Sequence, residues 1–297
     1  PLTIVPTTII GLAVFVYFRT HLTSRLLSGA IYYGMGIGFI AFWVFNAGLF
    51  LSLLLPDFTV QIGLICLVIS VIACVKAILN GKTVELKTIH LTSTKIERQH
   101  NLIFISDIHL GSNSKRHLEK ICDKIHELNY EYLLIGGDLF DSSAFDAEDL
   151  GLFKTMKGPI FFVTGNHEYY VKDHAEKVAN LAKYNITILD NQSAQLDGLN
   201  IIGVSDNQAV KKQSAIAEQL TSHNLFNLLM VHQPSMWHHA PEKTDLMLSG
   251  HTHNGQIFPF NLLVRLQFRT VYGIYRRMNS RLYVSSGSGT WGPRMRL

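Results

Sequence analysis

The chain has 297 residues, 47% of them hydrophobic and 16% charged, with a net charge of +4. The charged share is well below the ~25% of an ordinary soluble domain, which excludes a disordered chain, a collagen or a coiled coil and points to a part-membrane protein. The mildly basic balance suits an anionic substrate or a membrane surface and does not by itself suggest nucleic acid.

The apolarity is concentrated in the first 80 residues. Leu2–Phe18 and Leu27–Pro56 are uncharged, and Phe58–Asn80 carries only Lys76. A span needs ~20 apolar residues, so residues 1–81 are expected to hold about three transmembrane helices. The chain opens on Pro1 rather than Met, and an N-terminal piece is expected ahead of it. Arg19 and Arg25 fall in the first loop, the loop at Pro56-Asp57 has no basic residue, and Lys82, Lys87, Lys95 and Arg98 follow the third run. The positive-inside rule then places everything beyond residue 81 in the cytoplasm. Three cysteines are too few for a disulfide framework. Cys66, Cys74 and Cys122 read as small core hydrophobes.

Composition changes at Gly81. Residues 82–100 read as a linker and a leading strand, and 82–297 as one catalytic domain. Short apolar runs then alternate with helical patterns. Strands are predicted at Leu102–Ile105, Tyr132–Ile135, Ile160–Val163, Ile186–Leu189, Ile201–Val204, Leu228–Val231, Leu246–Leu248 and Leu282–Val284. Helices are predicted through Leu118–Leu128 and over 171–184. Continuous apolar strands separated by helices mean sheets covered by helices, an α/β class.

Polar residues fall just after these strands, where ligands bind in open α/β sheets. The blocks are Ser106-Asp107-Ile108-His109, Gly136-Gly137-Asp138-Leu139-Phe140-Asp141, Gly165-Asn166-His167-Glu168, His232-Gln233-Pro234 and Gly250-His251-Thr252-His253. Singly, each block is explained as a turn or a helix cap. Their joint occurrence is not. Asp107 and His109 stand at i, i+2, as do His251 and His253, so on an extended segment each pair faces one side and can grip a cation. Imidazole nitrogen and carboxylate oxygen suit borderline divalent ions, and no cysteine stands in these blocks. Two such ions can clamp a phosphoryl group and bind a hydroxide.

These five blocks, in this order, resemble the signature of calcineurin-like metallophosphoesterases over roughly residues 100–297. The resemblance implies a sandwich of two β-sheets flanked by helices. It implies that Asp107, His109 and His253 hold one metal, that Asn166, His232 and His251 hold the other, and that Asp138 bridges them. His167 is then the catalytic group, beside the phosphate and assisting the leaving group. Manganese is the favoured metal, with iron or zinc as alternatives. The segments at His253-Asn254-Gly255-Gln256 and Val284–Pro293 are similar to a bacterial subgroup with an N-terminal membrane region, many of which have Gly where this chain has Asn254.

After Asp245 the chain has no acidic residue, and arginines alternate there with apolar residues. Arg265, Arg294 and Arg296 are candidate substrate contacts in an apolar, cationic lip that meets lipid phosphates. The layout resembles the membrane-type UDP-2,3-diacylglucosamine hydrolases of lipid A assembly, which cleave a pyrophosphate to UMP and a lipid monophosphate. A multi-pass inner-membrane enzyme facing the cytoplasm is therefore expected, with a lipid-linked phosphate as substrate. The alternative is a broad-specificity membrane-anchored phosphodiesterase or phosphatase of the same family. A nuclease is disfavoured, because membrane spans give it no purpose, and so is a metal-free scaffold, because no ligand is missing.

Overall fold

The computed structural model describes residues 25–142 and 145–297; the predicted span Leu2–Phe18 lies outside them. Two compact units result. One comprises the described residues up to Asn80 together with Gly292–Leu297, and the other is Gly81–Trp291.

The first unit holds two apolar helices, α1 (Arg25–Leu54) and α2 (Thr59–Gly81). Pro56 separates them by opening a 3-10 turn, Pro56–Phe58, because its ring removes a helical N–H and fixes φ. Gly29–Leu54 and Pro56–Gly81 each cover 26 residues at mean hydropathies of 2.1 and 2.8. At ~1.5 Å rise per residue both exceed a ~30 Å hydrocarbon core. Their large side chains point outward rather than into a core. A Cβ at Gly48 would meet Cys66 Sγ, and that thiol reaches Val44 O at 3.6 Å. The small residue thus permits close helix approach, as in lipid-embedded pairs.

The second unit begins with a correction. Residues 82–101 form no strand. This stretch is rich in charged and hydroxyl side chains, and side chains rather than a backbone ladder hold it. Lys95 pairs with Asp245 at 2.9 Å, Arg98 pairs with Glu131 and Asp197 at 2.9 Å each, and Ile96 packs on the core.

Two sheets follow. The first is parallel, in the order β1 (Leu102–Ile105), β2 (Tyr132–Ile135), β3 (Ile160–Phe162), β4 (Ile186–Ile188). The second has six strands, ordered β5 (Gln192–Leu196), β6 (Leu199–Val204), β7 (Phe226–Val231), β8 (Leu246–Ser249), β10 (Ser280–Val284), β9 (Gly273–Arg277). Its interior pairs are parallel and its edge strands antiparallel. Helix α3 (Lys115–His126) lies between β1 and β2, α4 (His174–Ala179) between β3 and β4, α5 (Val210–Leu220) between β6 and β7, and α6 (Phe260–Gln267) between β8 and β9.

Strand alternation builds three apolar layers. In β2, Leu133 and Ile135 join the cluster containing Leu118 and Ile121 of α3. Tyr132 and Leu134 instead meet Leu228 and Met230 of β7 between the sheets. In β7, Leu229 and Val231 turn outward to Ala217 of α5 and to Trp237. Each inner strand is therefore buried on both faces, which is why it reads as a continuous apolar run.

The helix predicted over 171–184 is broken. Only His174–Ala179 is α-helical, followed by a 3-10 turn, Asn180–Tyr184. Asp173 at φ 58 and Asn185 at φ 63 bound the segment in the left-handed region. Edge strands β5 and β9 and helix α5 extend the predicted set.

Candidate metal centre

The predicted ligand residues gather at the carboxyl ends of strands from both sheets. From the first sheet, β1 delivers Asp107 and His109, β2 delivers Asp138, and β3 delivers Asn166 and His167. From the second, β7 delivers His232, and β8 delivers His251 and His253. Ligand atoms of Asp107, His109 and His253 lie within 4.8 Å of one another, as do those of Asp138, His232 and His251. Asn166 joins the second group, with Oδ1 2.8 Å from His251 Nδ1. Asp138 Oδ2 stands between the groups, 3.0 Å from His232 Nε2 and 3.7 Å from His109 Nε2.

The convergence has a different backbone origin from the extended segments expected. Asp107 (φ 55), His109 (φ 53), Asp138 (φ 53), His251 (φ 72) and His253 (φ 49) are all left-handed. Asp, Asn and His tolerate this region better than most side chains, and strain of this kind collects at functional sites. Main-chain bonds lock it: Asp107 N donates to Gly137 O at 3.0 Å, His109 N to Asp138 O at 3.0 Å, and Gly250 N to His232 O at 2.9 Å. Asn254 has φ 53, a conformation that glycine adopts without strain and asparagine tolerates.

The donor set fits divalent cations. Asp107 and Asp138 are 0% and 2% exposed, and Asp107 Oδ2 accepts no hydrogen bond among the described residues. His109 Nε2 and His253 Nε2 face each other at 3.1 Å. Buried carboxylates and opposed ring nitrogens are costly unless a cation or proton sits among them. His232 Nδ1 lies 2.8 Å from Gly136 O; donating there leaves Nε2 with its lone pair toward the centre.

Electrostatics agree with a site of concentrated negative charge. Burial alone would lower His232, but the Asp138, Asp107 and Asp206 carboxylates hold it well above the ordinary imidazole value. His109 is raised against its burial by Asp141, Asp138 and Asp107. Asp138 is depressed despite burial, by His232, His109 and His167. His251 drops to about 4 through burial and the neighbouring His232. His167 is lowered chiefly by burial.

His167 sits at the rim. Its N–H donates to Asp138 Oδ1 at 2.9 Å, and its ring centroid is 4.7 Å from that of His109. Of the predicted substrate arginines, Arg265 lies on α6 and is exposed. Arg294 and Arg296 fall in the segment grouped with the apolar helices, where Arg296 N donates to Ala77 O at 2.8 Å.

Four supporting residues received no role from sequence. Glu168 is fully buried, and its carboxylate accepts from the N–H groups of Asp138 (3.0 Å), Leu139 (2.6 Å), Phe140 (3.2 Å) and Gly165 (2.7 Å). Asp141 Oδ2 is 3.2 Å from His109 Nδ1, and its Oδ1 accepts from Ser112 N at 2.9 Å, so it can orient that ring. Gly287 (φ 87) and Gly289 let the loop after β10 pass close behind the site: a Cβ would reach His253 Nδ1 at 3.0 Å from the first and Ile108 O from the second. Both acids were visible inside the motif blocks, but nothing in the spacing said which atoms they serve.

An α/β sandwich with nitrogen and oxygen donors gathered at the strand ends of both sheets forms a candidate site for divalent metal ions. Residues 100–255 match the family described as Calcineurin-like phosphoesterase, and the chain belongs to it. An uncharacterized metallophosphoesterase of Helicobacter pylori (strain 26695) is 37% identical over 67% of this chain and 56% of its own length. Another, from Campylobacter jejuni, is 34% identical over 78% of this chain and 65% of its own. A zebrafish (Danio rerio) transmembrane protein with metallophosphoesterase domain is 33% identical over 66% of this chain and 50% of its own. The chain thus spans about half to two thirds of the length of these relatives.

Proposed function

We propose that the chain is a membrane-embedded, dinuclear metal-dependent hydrolase that cleaves a phosphoester or pyrophosphate bond of a lipid-linked phosphate. The observation that carries the reaction class is the meeting of Asp107, His109, Asp138, Asn166, His232, His251 and His253 at the strand ends of both sheets. In this reading Asp107, His109 and His253 hold one ion, Asn166, His232 and His251 the other, and Asp138 both. Bound divalent ions supply an activated hydroxide and neutralise phosphoryl charge. The protein holds its ligands through left-handed turns and main-chain bonds formed before substrate arrives, so little reorganisation is needed. His167, at the rim, is assigned to assist departure of the leaving oxygen by donating a hydrogen bond or, when protonated, its proton. Manganese is the proposed metal, since N/O ligands admit it and availability decides among the candidates.

The substrate proposed is UDP-2,3-diacylglucosamine, cleaved to UMP and the lipid monophosphate. The apolar helices α1 and α2 support a lipid substrate. Arg265, Arg294 and Arg296 are assigned to its phosphates, because guanidinium forks bind phosphate bidentately. The proposed location is the inner membrane with the catalytic unit in the cytoplasm, supported by the basic residues after α2. A reporter fused at the C-terminus tests the orientation and should read cytoplasmic.

The deciding experiment offers the detergent-purified, manganese-loaded protein UDP-2,3-diacylglucosamine beside an aryl phosphodiester. Fast UMP release, abolished by Asp138→Ala, is expected. Aryl release without UMP release would keep the metal chemistry and replace the lipid by a broad phosphodiester specificity. Failure on both would overturn the reading.

A further inference from the structure

Helix α6 is built the wrong way round for a soluble enzyme. A surface helix normally turns its apolar stripe inward and its charges outward. In α6 the face carrying Leu262, Leu263 and Leu266 points to solvent, with Leu266 84% exposed. Asn261, Val264 and Phe268, at i, i+3 and i+7, form the half-buried side. Phe258 and Phe260, just ahead, are also exposed. Exposed apolar surface that is contiguous in this way marks an interaction site.

The flanking charge indicates the partner. Arg265, Arg269 and Arg276 are exposed and have no hydrogen-bond or ion-pair partner among the described residues. No acidic residue and no lysine occurs between Asp245 and Trp291. Outward leucines beside unpaired arginines match an anionic bilayer, in which acyl chains take the leucines and headgroup phosphates the arginines. Connectivity favours the same partner. The catalytic unit follows directly on α2, which is long and apolar enough to cross a membrane, so the tether keeps the bilayer at high effective concentration.

The face also borders residues that touch or adjoin the proposed metal ligands. A cavity of about 380 Å³ is lined by Asn254, Arg265, Phe268, Arg269 and Tyr272 among others. Its Phe268 packs edge-on against His251, with centroids 5.3 Å apart, and Asn254 adjoins His253. At the rim, Tyr170 (74% exposed) and Trp291 (53% exposed) stand 5.4 and 5.9 Å from the His167 ring. Tyr and Trp favour the bilayer interface, where one end of the ring is apolar and the other wet.

We propose that α6 is a membrane-surface anchor of the catalytic unit: Leu262, Leu263 and Leu266 enter an anionic leaflet, and the Arg265–Arg269 cavity receives a lipid headgroup phosphate on its way to the metal site. This deepens the lipid-phosphate reading and rests on it for the identity of the ligand. The docking itself is measured without turnover.

The test uses the full chain in nanodiscs of phosphatidylethanolamine and phosphatidylglycerol. An environment-sensitive fluorophore is attached at Leu266→Cys or, as a control on the exposed face of α5, at Lys212→Cys. The wild type is labelled in parallel as background for its buried cysteines. Doxyl-labelled lipid should quench the probe at position 266 several-fold more than at 212, and the difference should shrink in phosphatidylcholine alone. Leu263→Asp/Leu266→Asp should leave turnover of a soluble aryl phosphodiester unchanged, which also reports an intact fold, and should raise KM for the lipid substrate. Equal quenching at the two positions would overturn the anchor whatever the activity. So would burial of the 266 probe that grows with protein concentration in detergent, which would assign the face to a second copy of the chain. Strong quenching with no hydrolysis of either substrate would uphold the anchor and remove the catalytic reading instead.

Discussion

Glu168 acts through main-chain partners alone. Each of its oxygens accepts two backbone N–H groups, one pair from Leu139 and Phe140, the other from Asp138 and Gly165. It therefore staples the β2 loop, which carries Asp138, to the β3 loop, which carries Asn166. Burial and the adjacent Asp138 carboxylate push Glu168 up to about 8, and the backbone donors pull the other way. Glutamine would offer two of these donors an NH2 group in place of an oxygen. Glu168→Gln should lower stability by about 2–6 kcal/mol, since each unsatisfied buried donor costs ~1–3 kcal/mol. Its manganese affinity should also fall by roughly 10–100-fold, as for other supports of metal ligands. Thermal unfolding and metal titration check both. His167 should behave oppositely. His167→Ala is expected to cut kcat by about 10²–10⁴, the usual scale of a proton donor, with metal content near wild type by elemental analysis. A joint loss of metal and turnover would make His167 a ligand instead.

Strands in the middle of the sandwich serve two cores at once. Leu134 is fully buried between the sheets, and Leu134→Ala should cost about 2–5 kcal/mol in denaturant unfolding. The segment before β1 is held more lightly. Arg98 depresses Glu131 through a direct hydrogen bond, and Tyr132 and then Arg98 depress Asp197. A lowered carboxyl pKa contributes stability above the ordinary carboxylate range, lost as pH falls through the folded value. Proteolysis between residues 82 and 101 should therefore accelerate as pH falls from about 5 toward 3, and in Arg98→Ala the acceleration should shrink, with Tyr132 and His100 still holding part of the shift. The double burial also explains what was legible in the sequence. Inner strands announced themselves as apolar runs, whereas edge strand β5, Gln192–Leu196, is mostly polar and is defined by its partner β6. The hairpin signal was nonetheless present: Asp197 (φ 49) and Gly198 (φ 84) form the two-residue turn that joins them. At the metal centre, motif order identified the residues that meet. Their left-handed backbones, and the service of Glu168 and Asp141, depend on contacts across loops that no local spacing encodes.

At the scale of the molecule, the buried carboxylates tie stability to the metal. Free manganese at ~100 times its Kd should raise the unfolding free energy by about 2.7 kcal/mol for each ion bound, and EDTA should return it to the metal-free value. Calorimetry in detergent at fixed protein concentration tests this, and an unfolding midpoint indifferent to manganese would count against the proposed ligand set. The anchor inferred for α6 would add lipid composition as a second determinant of activity. The bonds that shape the centre also cross from sheet to sheet. His251 N, after β8, donates to Asp107 Oδ1 at 2.9 Å. Ser288 N and Gly289 N, after β10, donate to Ser106 O and Asp107 O at 2.8 and 2.9 Å. The candidate metal centre is thus the rivet of the sandwich: parting the leaves at that end breaks these bonds and scatters the residues that would hold the ions.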